Sequence, residues 1–333
     1  MNWTGLSVLV TGGSGSLGTA IARRLLTREK PRRVIIYSRD EAKHLDMRET
    51  IPDPDERLRF FIGDVRDRDR LRRAMTDVRI AIQAAALKQV PACEYNIIEA
   101  IRTNVDGAAN FVDACIDAGV ARGILVSTDK ASAPSTAYGA TKLVAERLFV
   151  HSNVYARDTC FSALRYGNVA GSRGSVIPVW RDAMARGQPI QITSPTATRF
   201  WITMDQAVDF VLTSVERMEG GEVFIPLLPS ASVGDLAEAI APGYPQSVTG
   251  LRAGEKPHEV LISRDEARSA RMEVDRYVLR FGEDYLSDPR GRVKEYSSQE
   301  PSRRLSISDL AMMISPIMMT SGGGARKETN DGV

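Results

Sequence analysis

The chain has 333 residues, with 44 Lys and Arg against 42 Asp and Glu, for a formal net charge of +2. Near-neutrality removes any global electrostatic case for a nucleic-acid partner, and 43% hydrophobic residues suffice for a large buried core. No run approaches the roughly 18 apolar residues of a membrane span, and the N-terminal MNWTGLSVLVTGG lacks the basic and cleavable parts of a signal peptide, so a soluble protein is expected.

Along the chain, short apolar runs alternate with helical patterns, which predicts a parallel α/β sheet. Residues 6–11 form a β-rich run that ends in glycines. Leu17, Ile21 and Leu25 then recur every four residues, giving the next helix one apolar stripe. Further strands are predicted at residues 34–37, 58–62, 80–86, 124–127 and 161–165, and a helix at 108–118 that Gly119 caps. Seven arginines between Arg57 and Arg73, interleaved with Asp64, Asp67 and Asp69, read as a solvated, salt-bridged helix face. After residue 168 the alternation breaks up and glycine and proline become frequent, as loops and short helices capping the sheet would require. Residues 205–218 read as a helix that returns to the main domain. Met312, Met313, Met318 and Met319 suggest a helix packed on the core, and the glycine-rich tail at 322–333 is expected to be disordered. Cys93, Cys115 and Cys160 show no paired spacing, which fits a reducing cytoplasm, and His44, His151 and His258 show no metal-ligand spacing.

The segment TGGSGSLG at 11–18 follows a strand and opens a helix, the context of a dinucleotide fingerprint. Gly12 permits the tight turn, Gly15 lets backbone N–H groups approach a pyrophosphate, and Gly18 allows close helix packing; Ser14, Ser16 and Leu17 complete the cradle. An NAD site usually ends its second strand in an acidic residue that holds the ribose. Here that position is Ser38, followed by Arg39 and then Lys43, cations suited to the 2′-phosphate of NADP. The competing assignment leaves Arg39 on the surface and gives the ribose to Asp40 or Glu41. The predicted architecture is a Rossmann-type doubly wound sheet over residues 1–168, rejoined by 203–225. A smaller substrate domain follows from 169–202 and 226–300, and then a C-terminal helix at 301–321.

Tyr138 and Lys142 stand four apart in a helical segment and share one face. A tyrosine becomes a base only when its phenolate is stabilised, and the Lys142 ammonium and a positive nicotinamide would both lower its pKa. Thr128, Asp129 and Lys130 fall at the end of the fifth strand, where such sheets place their ligands. In isolation Asp129 and Lys130 are an ordinary ion pair. At this position an adjacent acid and base suit elimination, provided that desolvation and nearby cations depress Lys130 enough for it to lose its proton.

With these motifs in place, the sequence resembles the inverting UDP-N-acetylglucosamine 4,6-dehydratases, extended short-chain dehydrogenases/reductases of bacterial surface-sugar pathways. The resemblance rests on TGGSGSLG, IIYSRDEAK, FFIGDVRD, AAALKQVPACEYN, STDKA, YGATK, RYGNVAGSRGSVIP, TRFWIT and GLRAGEKPHE, in that order from residue 11 to about 260. It implies that Asp64 and Val65 contact the adenine, and that Ala84, Ala85, Ala86 and Lys88 line the nicotinamide ribose and active site. It further implies that Asn168, Ser175, Val176, Arg199, Arg252 and Glu255, with Lys88, hold the UDP-sugar. The implied reaction has Tyr138 deprotonating the 4-hydroxyl as hydride leaves C4 for NADP. Lys130 then removes the C5 proton as Asp129 protonates the departing C6 hydroxyl, hydride returns to C6, and C5 is reprotonated from the opposite face. A homo-oligomer, dimer or hexamer, is also implied.

Related retaining glucose dehydratases carry glutamate where Lys130 stands, and larger membrane-anchored relatives carry methionine where Tyr138 stands. Two departures border the sugar pocket. The family commonly reads DKAVNP where this chain has Ser132 and Ala133 before Pro134, and RPGEKLHE where it has Ala253 and Pro257. Other readings of the same fold are a nucleotide-sugar epimerase, a dehydratase that stops at a 5,6-unsaturated product, or a non-catalytic NADP-binding regulator.

Overall fold

Strand β1 (Ser7–Thr11) is buried along its whole length and pairs in parallel with β2 (Arg33–Ser38) on one side and β4 (Ile80–Gln83) on the other. Because both faces are covered by helices, these strands carry unbroken apolar runs such as Val8-Leu9-Val10 and Val34-Ile35-Ile36 rather than alternation. With β3 (Leu58–Ile62), β5 (Arg122–Val126) and β6 (Cys160–Leu164), the order from one edge is β3-β2-β1-β4-β5-β6, all parallel. The reversal of winding at β1 and β4 opens a crevice at the carboxyl ends of the strands, which is where doubly wound sheets bind ligands. The computed structural model describes residues 1–283 and 293–319.

The predicted strands are present within a few residues, and the helix Gly107–Ala118 ends on Gly119 in the left-handed conformation at φ +67°. Strand β4 stops at Gln83 rather than reaching residue 86. There the Thr11 hydroxyl accepts from the N–H groups of Ala84 (3.2 Å) and Ala85 (3.3 Å), turning the chain out of the ladder and toward the crevice. The arginines between 57 and 73 do not share one helix face. They are spread over β3, a turn and the helix Arg68–Ala74, since the backbone runs extended through 58–62. Their ion pairs hold that region together, Arg66 with Asp64 and Glu99, and Arg68 with Asp113 and Asp117.

The helix Met204–Arg217, capped by Thr203 and Gln206 in a reciprocal box, packs beside the helix Ser16–Arg24. It leads to the strand Glu222–Pro226, which joins the sheet parallel to β6. The segment 226–300 divides, in contrast to its expected place in a separate substrate domain. Arg276–Arg280 pairs antiparallel with Glu222–Pro226, and Ala270–Met272 adds the ninth strand of the main sheet. A second, smaller core lies under the remaining segments and includes Ile177, Trp180, Ile190, Trp201, Leu236 and Leu310. The strand Thr198–Ile202 links the two cores by simple alternation: Phe200 and Ile202 face the large one, and Trp201 the small one. The C-terminal helix Ile307–Met319 packs on the small core through Leu310 and Ile314, while Met312 is exposed. The tail at 322–333 lies outside the described residues. Among the described residues no helix is long and apolar enough to cross a membrane.

Candidate active site

Apart from Glu41, the alternative ribose ligand, the residues singled out from the sequence for cofactor, catalysis and substrate line one cleft of about 980 Å³. Its floor is the crevice at the ends of β1, β4 and β5, and its far wall comes from residues 166–176, 199 and 252–259.

At one end, Gly12 adopts φ +61°, and a Cβ there would come within 2.8 Å of the Ala85 backbone. Gly18 packs so closely on Gly13 that a Cβ would sit 2.4 Å from its Cα. The helix Ser16–Arg24 opens at Gly15 with no side-chain cap, which leaves its first-turn N–H groups to a ligand anion. These features fit a dinucleotide pyrophosphate. At the adenosine end the Ser38 hydroxyl is buried between Ser14 Oγ (2.8 Å) and His44 Nε2 (2.7 Å). Arg39 lies 3.3 Å from Asp64, which Arg66 already grips through two nitrogens. Asp40 caps the helix Glu41–Thr50, accepting from the Lys43 N–H and pairing with the Lys43 ammonium.

At the catalytic end, the Thr128 hydroxyl caps the single turn Asp129–Ala131 and donates to Asp129 Oδ1 at 2.8 Å. Lys130 Nζ sits 3.1 Å from Asp129 Oδ1 and 3.1 Å from Glu259 Oε1. Asp129 is 1% exposed and Glu259 is 3% exposed. This arrangement reverses the expected charge state of the lysine. Burial pulls the amine down, but the two carboxylates more than offset it, and Lys130 is held above its ordinary range as an ammonium.

Tyr138 and Lys142 do share the inner face of the helix Ala137–Ser152. Burial pushes the Tyr138 phenol up to about 12, and the Lys130 charge and a hydrogen bond with the Thr128 hydroxyl pull it back. Lys142 instead donates to the Val126 carbonyl at 2.8 Å, and burial draws it down to about 8 against the pull of Glu146. Lys130 thus does for the tyrosine what was expected of Lys142.

On the substrate wall, Arg199 bonds Glu255 at 2.7 Å and the carbonyls of Thr198 and Pro257. Glu255 also accepts from Thr193 (3.2 Å) and from the Arg252 backbone (3.2 Å). Lys88 reaches the Arg173 carbonyl at 3.1 Å, and Ser175 opens the helix at Val176 with a buried hydroxyl that has no partner among the described residues. Asn168 lies on a two-residue strand beside Trp201. Two residues were not picked out from the sequence. Asn104, in a π turn, bonds both backbone groups of Leu87 and thereby fixes the 84–88 loop. Glu259 pairs with Lys130 across the cleft, and no sequence spacing signals a partner so far along the chain. Cys93 is fully buried beside Tyr138 and Ala100, and burial raises its thiol, as a structural role requires.

The departure at Ala133 has a visible cost. Its φ of +43° is one that alanine resists, whereas the asparagine of the DKAVNP pattern tolerates it. Ala133→Asn is expected to raise stability by about 0.5–1 kcal/mol, read from the denaturation midpoint. An unchanged or lower midpoint would show that this turn is not strained.

The chain matches the family described as polysaccharide biosynthesis protein over residues 8–280. An inverting UDP-N-acetylglucosamine 4,6-dehydratase of Campylobacter jejuni subsp. jejuni serotype O:2 is 49% identical over 264 residues, covering 78% of each chain. A UDP-glucose 4-epimerase of Rickettsia akari is 34% identical over 326 residues, 92% of this chain and 95% of that one. Among solved structures, Pen from Bacillus thuringiensis superposes with a TM-score of 0.89 at 32% identity, over 96% of this chain and 99% of that one. A dTDP-glucose 4,6-dehydratase from Streptomyces venezuelae with NAD and TYD bound shares the fold at a TM-score of 0.68 and 23% identity, over 75% and 86%. With its dinucleotide cradle, its paired Asp129 and Lys130 and its Tyr138, the chain belongs to the inverting UDP-N-acetylglucosamine 4,6-dehydratase family of extended short-chain dehydrogenases/reductases.

Proposed function

We propose that this chain catalyses the NADP-dependent 4,6-dehydration of UDP-N-acetylglucosamine with inversion at C5, giving a UDP-4-keto-6-deoxy-L-hexosamine. The observation that carries this reading is the 3.1 Å contact between Lys130 and Asp129 beside Tyr138 in the cleft. Elimination needs one group to take the C5 proton and another to give a proton to the C6 hydroxyl. A Lys–Asp pair that shares a single proton supplies both, because moving that proton from Nζ to the carboxylate makes a free amine and a carboxylic acid together. In water the ion pair is favoured by roughly 9 kcal/mol from ordinary pKa values. As the site stands the two carboxylates keep that proton on Lys130; a bound sugar that excludes water would narrow the gap, since desolvation disfavours both charges. Tyr138, once ionised, takes the 4-hydroxyl proton, and Lys130 and Thr128 favour that ionisation. A nicotinamide dinucleotide bound in the cleft would accept hydride from C4 and return it at C6. After elimination the Lys130 ammonium sits near C5 and Asp129 is again a carboxylate, the resting arrangement seen here.

NADP is preferred because Asp40, which lines the cleft just beyond Ser38, is already occupied as a helix cap and by Lys43. Among the described residues Arg39 is held by Asp64 alone, which keeps Arg66 as a partner when Arg39 turns to a 2′-phosphate. Arg39→Ala is expected to weaken NADP binding about 10- to 100-fold and leave NAD binding nearly unchanged, measured by titration calorimetry. Equal losses for both would assign Arg39 to the shared part of the cofactor.

Proton NMR of purified protein with UDP-N-acetylglucosamine tests the activity. A new C6 methyl signal supports dehydration. A C4 epimer that keeps its hydroxymethyl group would make the chain an epimerase, a 5,6-unsaturated sugar would make it a 5,6-dehydratase, and no turnover would leave only a dinucleotide-binding protein.

A further inference from the structure

Glu259 has no role in the reaction as set out above, yet its placement is too costly to be incidental. Its backbone is pinned on both sides to Ser298, accepting from the Ser298 N–H and donating to the Ser298 hydroxyl, each at 2.8 Å. Its side chain is 4% exposed, with Oε1 3.1 Å from Lys130 Nζ and 3.9 Å from Arg199 Nε. The other oxygen, Oε2, is buried with no hydrogen-bond partner among the described residues, as is Asp129 Oδ2. A carboxylate kept only for stability would have both oxygens satisfied, since a buried unpaired acceptor costs about 1–3 kcal/mol.

We propose that Glu259 is a positioning residue for the elimination, fixing the Lys130 amine in the cleft and retaining there the one proton that Lys130 and Asp129 share. The proposal rests on the dehydratase reading and deepens it. If Lys130 and Asp129 exchange one proton, losing it to solvent disables the acid and the base together. Glu259 prevents that loss by keeping a fixed negative charge beside the amine at every stage. Before the C5 proton is taken, the trio is amine, carboxylic acid and carboxylate; afterwards it is ammonium and two carboxylates. Both states carry one net negative charge, so the step moves a proton without changing the charge of the trio; Arg199, paired with Glu255 at 2.7 Å, faces Glu259 at 3.9 Å in both. The other charged or titratable groups facing Lys130 are Tyr138, on the helix Ala137–Ser152, and Lys256, on the same loop as Glu259; Lys256 is tied to the Ser132 carbonyl at 2.8 Å.

The test is the pH profile of C5 deuterium exchange at saturating UDP-N-acetylglucosamine, on the NADP-loaded full chain. Exchange should fall at alkaline pH as the shared proton is lost. E259Q removes the charge that holds it, so its alkaline limb is expected at least about one pH unit below that of the wild type, with a lower plateau. E259D keeps the charge at longer reach and is expected to shift less, in the same direction; should E259Q not fold, E259D carries the test. A purely structural Glu259 would lower folded fraction and rate at every pH without moving the limb. Wild-type exchange with superimposable limbs in the folded variants overturns the role of Glu259 alone. Absence of exchange in the wild type overturns the dehydratase reading and this inference with it.

Discussion

Lys130→Ala is expected to lower C5 hydrogen exchange by about 10²–10⁴-fold while the protein still binds its dinucleotide, because the general-base contribution disappears but the cradle at Gly12 and Gly15 is untouched. The substitution also leaves Asp129 and Glu259 facing each other without their shared cation. Two buried carboxylates that have lost the cation between them should cost the variant some stability. Cofactor titration and exchange, measured on the same folded sample, separate these effects. Undiminished exchange would remove Lys130 from the chemistry. Normal exchange per folded molecule with weak cofactor binding would make it a binding residue instead.

Arg165→Leu should have the largest effect on stability. Arg165 is fully buried at the end of β6, where Glu146 takes two of its nitrogens and Glu266 accepts at 2.7 and 3.0 Å. Removing the arginine leaves two buried carboxylates without their hydrogen-bonded counter-charge, and a loss of about 3–5 kcal/mol is expected in chemical denaturation. Glu266 also accepts from Ser132 at 2.9 Å, so the loop that carries Lys130 should slacken and turnover should fall with stability. Replacing all three by apolar residues of similar volume is expected to recover much of the loss. The native triad has a pH signature. Burial raises Glu266, but Arg165 outweighs it and lowers the carboxyl to about 2. A depressed carboxyl contributes stability that is complete above its unfolded value near 4.5 and is lost as pH falls toward 2, so acid unfolding should shift upward in the variant. A loss under about 1 kcal/mol would mean that the triad is not a net holding contact.

The parts legible in the sequence are those governed by short-range rules. Unbroken apolar runs such as Val34-Ile35-Ile36 mark strands buried on both faces, and Gly12, Gly18 and Gly119 stand where backbone geometry leaves little choice. The cleft could be assembled on paper because every strand of a parallel sheet delivers its carboxyl end to the same edge. What escaped depends on distant pairing. The antiparallel edge strands at 270–280 carry Arg271, Arg276 and Arg280 and read as loop, since their register is set by Glu222–Pro226 rather than by their own pattern. The resting charge on Lys130 depends on distant pairing in the same way. Its neighbour Asp129 is visible in the sequence, but Glu259, which completes the reversal, arrives from the opposite wall. Tyr138 and Lys142 show the limit of spacing: four residues apart places them on one face, but the lysine bends to a backbone carbonyl rather than to the phenol.

The central claim is that Lys130 and Asp129 act on C5 and C6 through one shared proton. Its most direct test is to convert UDP-N-acetylglucosamine in deuterated water and determine the configuration and isotope content at C5. The account predicts a 4-keto-6-deoxy product carrying deuterium at an inverted C5. Deuterium with retained configuration, or a turned-over sugar with only hydrogen at C5, would contradict it.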